Sequence, residues 1–335
     1  MLGDRSRLVT AIGFGAMGLS LWYGDAYKQA DEVRLKFLDE VYARGERNWD
    51  TADVYADSED LIGKWFKRTG KRDDIFLATK FGCGHGEKDR LVRADLGYVR
   101  EAFEKSIKRL GVDHVDLYYL HRADPTVPIE LTVGAMAENV KEGKVKYLGL
   151  SEVSAATLRR AHAVHPLTAL QVEYSPFDLS LESPQLGLLK TARELGVTIV
   201  AYSPLGRGLL TGAIKSPDDL APDDSRRWLP RFSKENFPNV LKLVDGLNAI
   251  AAKHGATSGQ VALAWLLAQG DDVIPIPGTT KVKNLEDNLG ALSVQLSPEE
   301  SKEIRDAAEK LEAIQGPRYP PEYVAIAFAD TPELK

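Results

Sequence analysis

Four residues of complementary chemistry, Asp50, Tyr55, Lys80 and His121, each stand at or just past the end of a short apolar run. Singly, each has an ordinary explanation. An Asp after a strand caps a turn, a Lys there snorkels to water, a lone His is a satisfied structural residue, and a Tyr packs a rim. Converging on one opening, they make a proton-donating site. Tyrosine has an ordinary pKa of about 10, too high for an effective acid at neutral pH. A buried ammonium beside it stabilises the phenolate and lowers that value. Asp50 is suited to hold Lys80 charged and aimed, and His121 to donate a hydrogen bond to an oxygen that becomes an alkoxide. Such a site suits carbonyl reduction, with Tyr55 protonating oxygen while hydride reaches carbon. No side chain supplies hydride, so the chemistry requires a nicotinamide cofactor.

The elements that must bring these residues together are legible as alternating apolar runs and amphipathic segments. The runs at 10–14, 48–50, 75–80, 115–121, 145–151, 169–173, 197–203 and 273–277 have the composition of buried parallel strands. Helical patterns lie at 31–43, 58–67, 96–110, 129–142, 154–164, 184–195 and 239–253, the first placing Val33, Phe37, Leu38 and Val41 on one face. Gly45, Gly70, Gly111, Gly143, Gly196 and Gly255 fall where helix C-caps are expected. Residues 215–237, with two Asp-Asp pairs and little periodicity, read as a long loop. Eight strands alternating with helices, without a composition break, predict one (β/α)8 TIM barrel spanning 1–335, with a long loop after strand seven and a C-terminal extension. An open doubly wound sheet is the competing architecture. In a barrel the active site forms at the C-terminal strand ends, which is where the four residues stand.

Gly13-Phe-Gly15-Ala-Met-Gly18 fits G-x-G-x-x-G literally. The dinucleotide motif needs a helix to start at the glycines so that its amides face a pyrophosphate. Here a Gly and three aromatics follow, and the first amphipathic pattern begins only near Asp31. The glycines therefore read as a loop at the mouth of the first strand.

Several segments in order resemble the aldo-keto reductase family, in the style of its yakc-like and perakine-reductase-like branch. They are Asn48-Trp-Asp-Thr-Ala-Asp-Val-Tyr55, Leu77-Ala-Thr-Lys80, Ser106-Ile-Lys-Arg-Leu-Gly-Val-Asp113 and Val115-Asp-Leu-Tyr-Tyr-Leu-His121. Gly143-Lys-Val-Lys-Tyr-Leu-Gly-Leu-Ser151, Ala201-Tyr-Ser-Pro-Leu-Gly-Arg-Gly-Leu209 and Ile274-Pro-Ile-Pro-Gly-Thr-Thr-Lys281 follow. The resemblance covers nearly the whole chain and implies a (β/α)8 barrel that reduces aldehydes or ketones with NADPH. The family's catalytic tetrad falls on Asp50, Tyr55, Lys80 and His121 without substitution.

The resemblance also implies cofactor contacts. Gly15, Ala16, Met17 and Asp50 would lie near the nicotinamide ribose. Ser151 and Gln171 would hold the carboxamide, and Tyr202 would stack on the ring. Ser203, Leu205, Arg207 and Gly208 would bracket the pyrophosphate, and Gly278, Thr279, Thr280 and Lys281 would meet the 2′-phosphate. Asp287 and Asn288 would reach the adenine. Three positions depart from the family's habit: Glu152 stands where many members have Asn, Asp287 replaces a Glu, and Asn284 occupies a place where several members have Arg. Segments 82–95, 205–237 and 315–335 are expected to shape substrate choice. The rim candidates are Trp22, Tyr23, Tyr27, Trp49, His85, Trp228, Tyr319 and Tyr323, with Tyr55 and His121 touching substrate. Such aromatics favour apolar or ring-bearing carbonyl compounds.

The same barrel occurs in regulatory subunits resembling the potassium-channel β subunits, which bind NADPH and turn over slowly, so such a role is the alternative reading. A hydrolase using Asp50 and Asp53 leaves Tyr55 and Lys80 unexplained. Composition bounds the rest. One Cys among 335 residues excludes an internal disulfide and thiolate clusters, and no metal site is expected. A balance of 43 Lys+Arg against 49 Asp+Glu, net −6, carries no nucleic-acid footprint. The N-terminal residues lack a signal-peptide core and no run is long enough to span a bilayer. A cytoplasmic protein with a small-molecule carbonyl substrate is the expectation. Oligomeric state is not encoded legibly.

Overall fold

A computed structural model describes residues 9–21, 28–84 and 91–335. Eight parallel strands run in sequence order: β1 (Phe14–Gly15), β2 (Asn48–Asp50), β3 (Phe76–Phe81), β4 (Val115–Leu120), β5 (Val145–Ser151), β6 (Leu167–Glu173), β7 (Thr198–Tyr202) and β8 (Val273–Pro275). The seam between first and last strands is bridged at Gly15 and Gly278, with the Gly13 amide donating to the Pro275 carbonyl at 2.9 Å. The architecture is the expected (β/α)8 barrel. The first strand is shorter and later than the 10–14 run suggested, because only Phe14 and Gly15 have a partner in β2.

The glycines of the G-x-G-x-x-G stretch belong to this seam. A Cβ on Gly15 would stand 2.8 Å from the Ile276 carbonyl oxygen. Only a hydrogen side chain lets the two edges approach closely enough to bond. No helix starts there; a short 3-10 turn at Met17–Leu19 follows instead.

Period-two alternation sorts the strand residues into two cores. Phe76, Ala78, Leu117, Tyr119, Ala169, Val200, Ile274 and Ile276 form the plug inside the barrel. Trp49, Leu77, Phe81, Tyr118, Leu120, Leu170, Val172 and Ile199 face the surrounding helices. Trp49, expected at the rim, is fully buried in this outer layer, 4.7 Å from Trp65 by ring centroids. Its parity decides this: Asn48 and Asp50 alternate inward and Trp49 outward. Gly149 is required because a Cβ there would lie 2.5 Å from the Tyr119 ring.

The outer ring comprises α1 (Asp31–Ala43), α2 (Ser58–Thr69), α3 (Leu96–Leu110), α4 (Ile129–Lys141), α5 (Ala155–Val164), α6 (Leu188–Glu194), α7 (Phe237–His254), α8 (Ser258–Leu267) and α9 (Val282–Gly290). α10 (Pro298–Glu312) packs on α7, and a short α11 (Pro321–Val324) lies in the C-terminal extension. Asp95, Ser154, Thr257 and Ser297 cap α3, α5, α8 and α10 through their side chains. Val33 is 51% exposed, against expectation. Arg34 takes the inward place in α1, held by Asp57 at 2.7 and 2.9 Å. The 215–237 stretch is a chain of 3-10 turns at Pro217–Asp219, Ser225–Trp228 and Pro230–Phe232.

Candidate active site

The same parity that builds the plug delivers the site. Asp50, Lys80, His121, Ser151, Gln171 and Tyr202 continue the inward-facing series to the C-terminal ends of β2 to β7, just above the apolar floor. Lys80 is fully buried. Its Nζ donates to Asp50 Oδ1 at 2.5 Å and to the Thr51 carbonyl at 2.7 Å. Burial pulls the Lys80 pKa down, and the charge and hydrogen bond of Asp50 oppose that fall without cancelling it. The Gln171 amide donates to the other Asp50 oxygen at 2.9 Å, so both carboxylate oxygens are held.

Tyr55 follows β2 in a turn held by its own amide bonding to the Ala52 carbonyl. Its half-buried ring lies with the Lys80 ammonium 4.9 Å from its centroid. The His121 ring meets it edge-on, centroids 5.8 Å apart at 86°. Burial drives the His121 pKa far down, with Lys80 and Arg122 adding repulsion. The imidazole is therefore neutral across physiological pH, and a neutral imidazole always has one N–H to donate. The four residues named from sequence stand around one opening.

The aldo/keto reductase family profile matches residues 11–309. The chain belongs to this family. It is 58% identical over 332 residues to aldo-keto reductase str7 of Strobilurus tenacellus, covering 98% of this chain and 96% of that one. It is 49% identical over 330 residues to aldo-keto reductase yakc [NADP(+)] of Schizosaccharomyces pombe, covering 97% and 96%. Among solved structures, a thermostable aldo-keto reductase in complex with the inhibitor epalrestat matches at TM-score 0.73 and 32% identity, over 92% of this chain and 98% of that one. The glycerol dehydrogenase of Gluconobacter oxydans matches at TM-score 0.82 and 26% identity, over 96% and 97%. The protein is an oxidoreductase of this family.

Where many aldo-keto reductases carry Asn, Glu152 is buried with φ at +52°. Arg318, from the C-terminal extension, closes on it with nitrogens at 3.0 and 2.6 Å, and the Tyr202 hydroxyl donates at 2.9 Å. Burial would raise the Glu152 pKa, but the charges of Arg318 and Arg122 outweigh it and hold the value at about 2. Arg318 had no sequence signal: its partner is 166 positions away. Arg207, expected at the pyrophosphate, forms a fork on Glu173 at 2.5 and 2.8 Å and donates to the Tyr319 hydroxyl at 2.8 Å. Its φ of +55° and that of Gly208 at +96° kink the turn after β7.

Among the other cofactor candidates, Ala16 is buried with its amide on the Asp50 carbonyl, and Gly15 and Met17 are half-buried beside it. Ser203 has φ at +50°, and Leu205 packs partly buried against the core. Gly278 faces Gly15 in the seam, and Thr279 accepts the Lys281 amide at 3.2 Å. Half-buried Thr280 and exposed Lys281 lead into α9. Asp287 accepts from Thr257 Oγ1 at 3.1 Å to both oxygens, and Asn288 is buried next to it.

The rim is partly visible. Trp22, Tyr23, Tyr27 and His85 lie outside the described residues. Trp228 is 43% exposed and packs on Tyr323, ring centroids 5.2 Å apart. Tyr319 reaches the mouth, its hydroxyl 3.1 Å from that of Tyr202. Among the described residues no helix is long and apolar enough to cross a membrane.

Proposed function

We propose that this chain reduces an aldehyde or ketone to an alcohol with NADPH. The observation that carries the reading is the buried Asp50–Lys80 pair set against the Tyr55 ring, with the neutral His121 ring edge-on to that tyrosine. Tyr55 gives its hydroxyl proton to the substrate oxygen. The Lys80 ammonium, kept by Asp50, favours the phenolate that remains. The neutral His121 donates a hydrogen bond to the oxygen as it gains charge, in a site where such a bond acts at low dielectric. Bound NADPH supplies the hydride to the carbonyl carbon.

The residues present fit that cofactor, and the relative named for NADP(+) supports the choice. Ser151 Oγ accepts from Arg122 at 3.0 Å, which leaves the hydroxyl hydrogen free to meet the carboxamide beside Gln171. In this reading Tyr202, held by its hydroxyl on Glu152, stacks on the ring. Ser203, Leu205, Arg207 and Gly208 form the kinked turn that would bracket the pyrophosphate, with Arg207 held on Glu173. Lys281 is exposed and makes no ion pair with a described residue, so its charge is available to the 2′-phosphate at the start of α9. Asp287 and Asn288 lie further along α9 for the adenine.

Segments 82–95, of which 85–90 lie outside the described residues, 205–237 and 315–335 shape the pocket in this reading. Two of them are tied together, since Asn236 Nδ2 donates to the Gln315 carbonyl at 3.0 Å and Trp228 packs on Tyr323. A panel of aliphatic and aromatic aldehydes and ketones, assayed separately with NADPH and NADH by absorbance of the reduced cofactor, tests the proposal. Turnover with NADPH is expected; its absence across the panel would overturn the reading.

A further inference from the structure

Arg122 follows His121 off the end of β4 and is half-buried at the same mouth. The other arginines that reach this opening have their charges met. Arg318 closes on Glu152 and Arg207 on Glu173. Among the described residues Arg122 has no carboxylate within ion-pair distance. Its Nη1 donates to two neutral acceptors, its neighbour's His121 carbonyl at 2.7 Å and Ser151 Oγ at 3.0 Å. Its Nε and Nη2 have no partner among the described residues, although this is a fork of five donors in fixed geometry. Glu152, the carboxylate whose charge bears on Arg122, is gripped through both its oxygens by Arg318.

The arginine is charged in this setting. An arginine stays protonated at any physiological pH, and although burial works against its charge, the Arg122 pKa stands above the ordinary arginine value. A half-buried guanidinium with no carboxylate in direct contact is costly unless an anion meets it. A planar fork with two free donor groups matches a carboxylate, which accepts two parallel hydrogen bonds.

Position narrows the ligand further. Arg122 is one residue from His121, which meets the substrate oxygen, and its own Nη1 touches Ser151, which meets the carboxamide in the function proposed above. A carboxylate bound by the remaining donors therefore lies beside the reacting carbonyl and not at a distant end of the molecule. We infer that Arg122 is a specificity-determining residue that selects 2-oxo acids, binding their carboxylate while His121 and Tyr55 engage the adjacent carbonyl. The step is balanced by the same chemistry: hydride from NADPH forms the new C–H bond, the Tyr55 proton forms the O–H bond, NADP+ leaves, and the product is a 2-hydroxy acid with its carboxylate unchanged. This inference rests on the carbonyl-reductase reading for its turnover, but its binding half stands apart from it.

The test compares benzoylformate with its methyl ester, which has the same reacting ketone without the charge. Binding is measured by calorimetry on the enzyme loaded with NADP+, and turnover by NADPH oxidation, for the native chain, Arg122→Leu and Arg122→Lys. The native chain should bind the acid more tightly than the ester. Arg122→Leu should lower the acid-to-ester ratio of kcat/KM about 10- to 100-fold, mostly through KM, as loss of a charged hydrogen-bonded pair predicts. Arg122→Lys, a point charge without the fork, should recover part of that ratio. Equal losses for acid and ester in Arg122→Leu, or no preference for the acid in the native chain, would overturn the inference. If the acid binds in an Arg122-dependent way but neither compound consumes NADPH, the anion site stands and the carbonyl-reductase reading falls for this substrate class.

Discussion

Arg318 Nη2 stands 2.6 Å from Glu152 Oε2, and this buried pair fastens the C-terminal extension to the mouth of the barrel. Glu152 continues into the Tyr202 hydroxyl, so the ring expected to stack on the nicotinamide is positioned by the tail. Removing one partner of a buried pair strands the other charge, at a cost of about 3–5 kcal/mol. Arg318→Leu should therefore lower the thermal midpoint and weaken NADPH binding together. Differential scanning fluorimetry and quenching of protein fluorescence by NADPH check both. An unchanged affinity would show that the pair serves stability alone.

Asp50 is the only carboxylate, among the described residues, in ion-pair contact with Lys80. Asp50→Asn keeps the shape but removes the charge that offsets the burial of the ammonium. Lys80 should then lose its proton at lower pH, and Tyr55 its help. The expected result is a fall in kcat of about 10²–10⁴-fold, with the alkaline limb of the pH–rate profile displaced toward acid. A uniform loss without that displacement would mean that Asp50 acts by packing.

Asp53, three residues on, sets a pH dependence of stability. Burial and then the negative charge of Glu59 push its pKa up to about 7, and one of its oxygens has no hydrogen-bond partner among the described residues. The folded state thus holds a proton that the unfolded chain releases near pH 4. Between those values the native state binds more protons, so this group makes stability fall as pH rises, by about 1.4 kcal/mol per unit at most. Above pH 7 the penalty is complete. Asp53→Asn should be more stable than the native chain at pH 8 and should flatten the slope from pH 5 to 7. Urea midpoints at pH 5 and pH 8 measure it.

Lys281 is predicted to set the choice between the two nicotinamide cofactors. With Asn284 in place of an arginine, it is the cation nearest the start of α9 in the proposed 2′-phosphate site. Lys281→Ala should weaken NADPH about tenfold or more, in line with a lost charged hydrogen bond, and leave NADH affected far less. Titrations with each cofactor decide this; equal effects on both would place the phosphate elsewhere.

The parts of this molecule that were legible in the sequence are those set by local periodicity. Asp50, Lys80, His121 and Ser151 stand at the strand ends that the apolar runs mark, and inward parity brings them to one end of the barrel; Gln171 has no such mark and rests on the family resemblance. The helix-start test rejected the Gly13–Gly18 stretch as a dinucleotide motif, and the seam at Gly15 gives the steric reason for its glycines. Trp49, expected at the rim, lies in the outer layer because its parity is opposite to that of Asp50. α8 carries no helical signal in the sequence, since Val261, Leu263, Trp265 and Leu266 leave no polar face to mark a helical period. The Glu152–Arg318 and Glu173–Arg207 pairs had no signal at all. Each joins a strand end to a loop or tail far away in the chain, and nothing in spacing marks a partner fixed only by tertiary closure.

The account depends most directly on Tyr55 as the proton donor, and Tyr55→Phe removes that hydroxyl alone. NADPH oxidation with an aldehyde that the native enzyme turns over is the measurement, made alongside NADPH binding by fluorescence. The account predicts that kcat falls by about 10²–10⁴-fold while NADPH still binds with native affinity. A Tyr55→Phe enzyme that turns over the aldehyde at the native rate would contradict it.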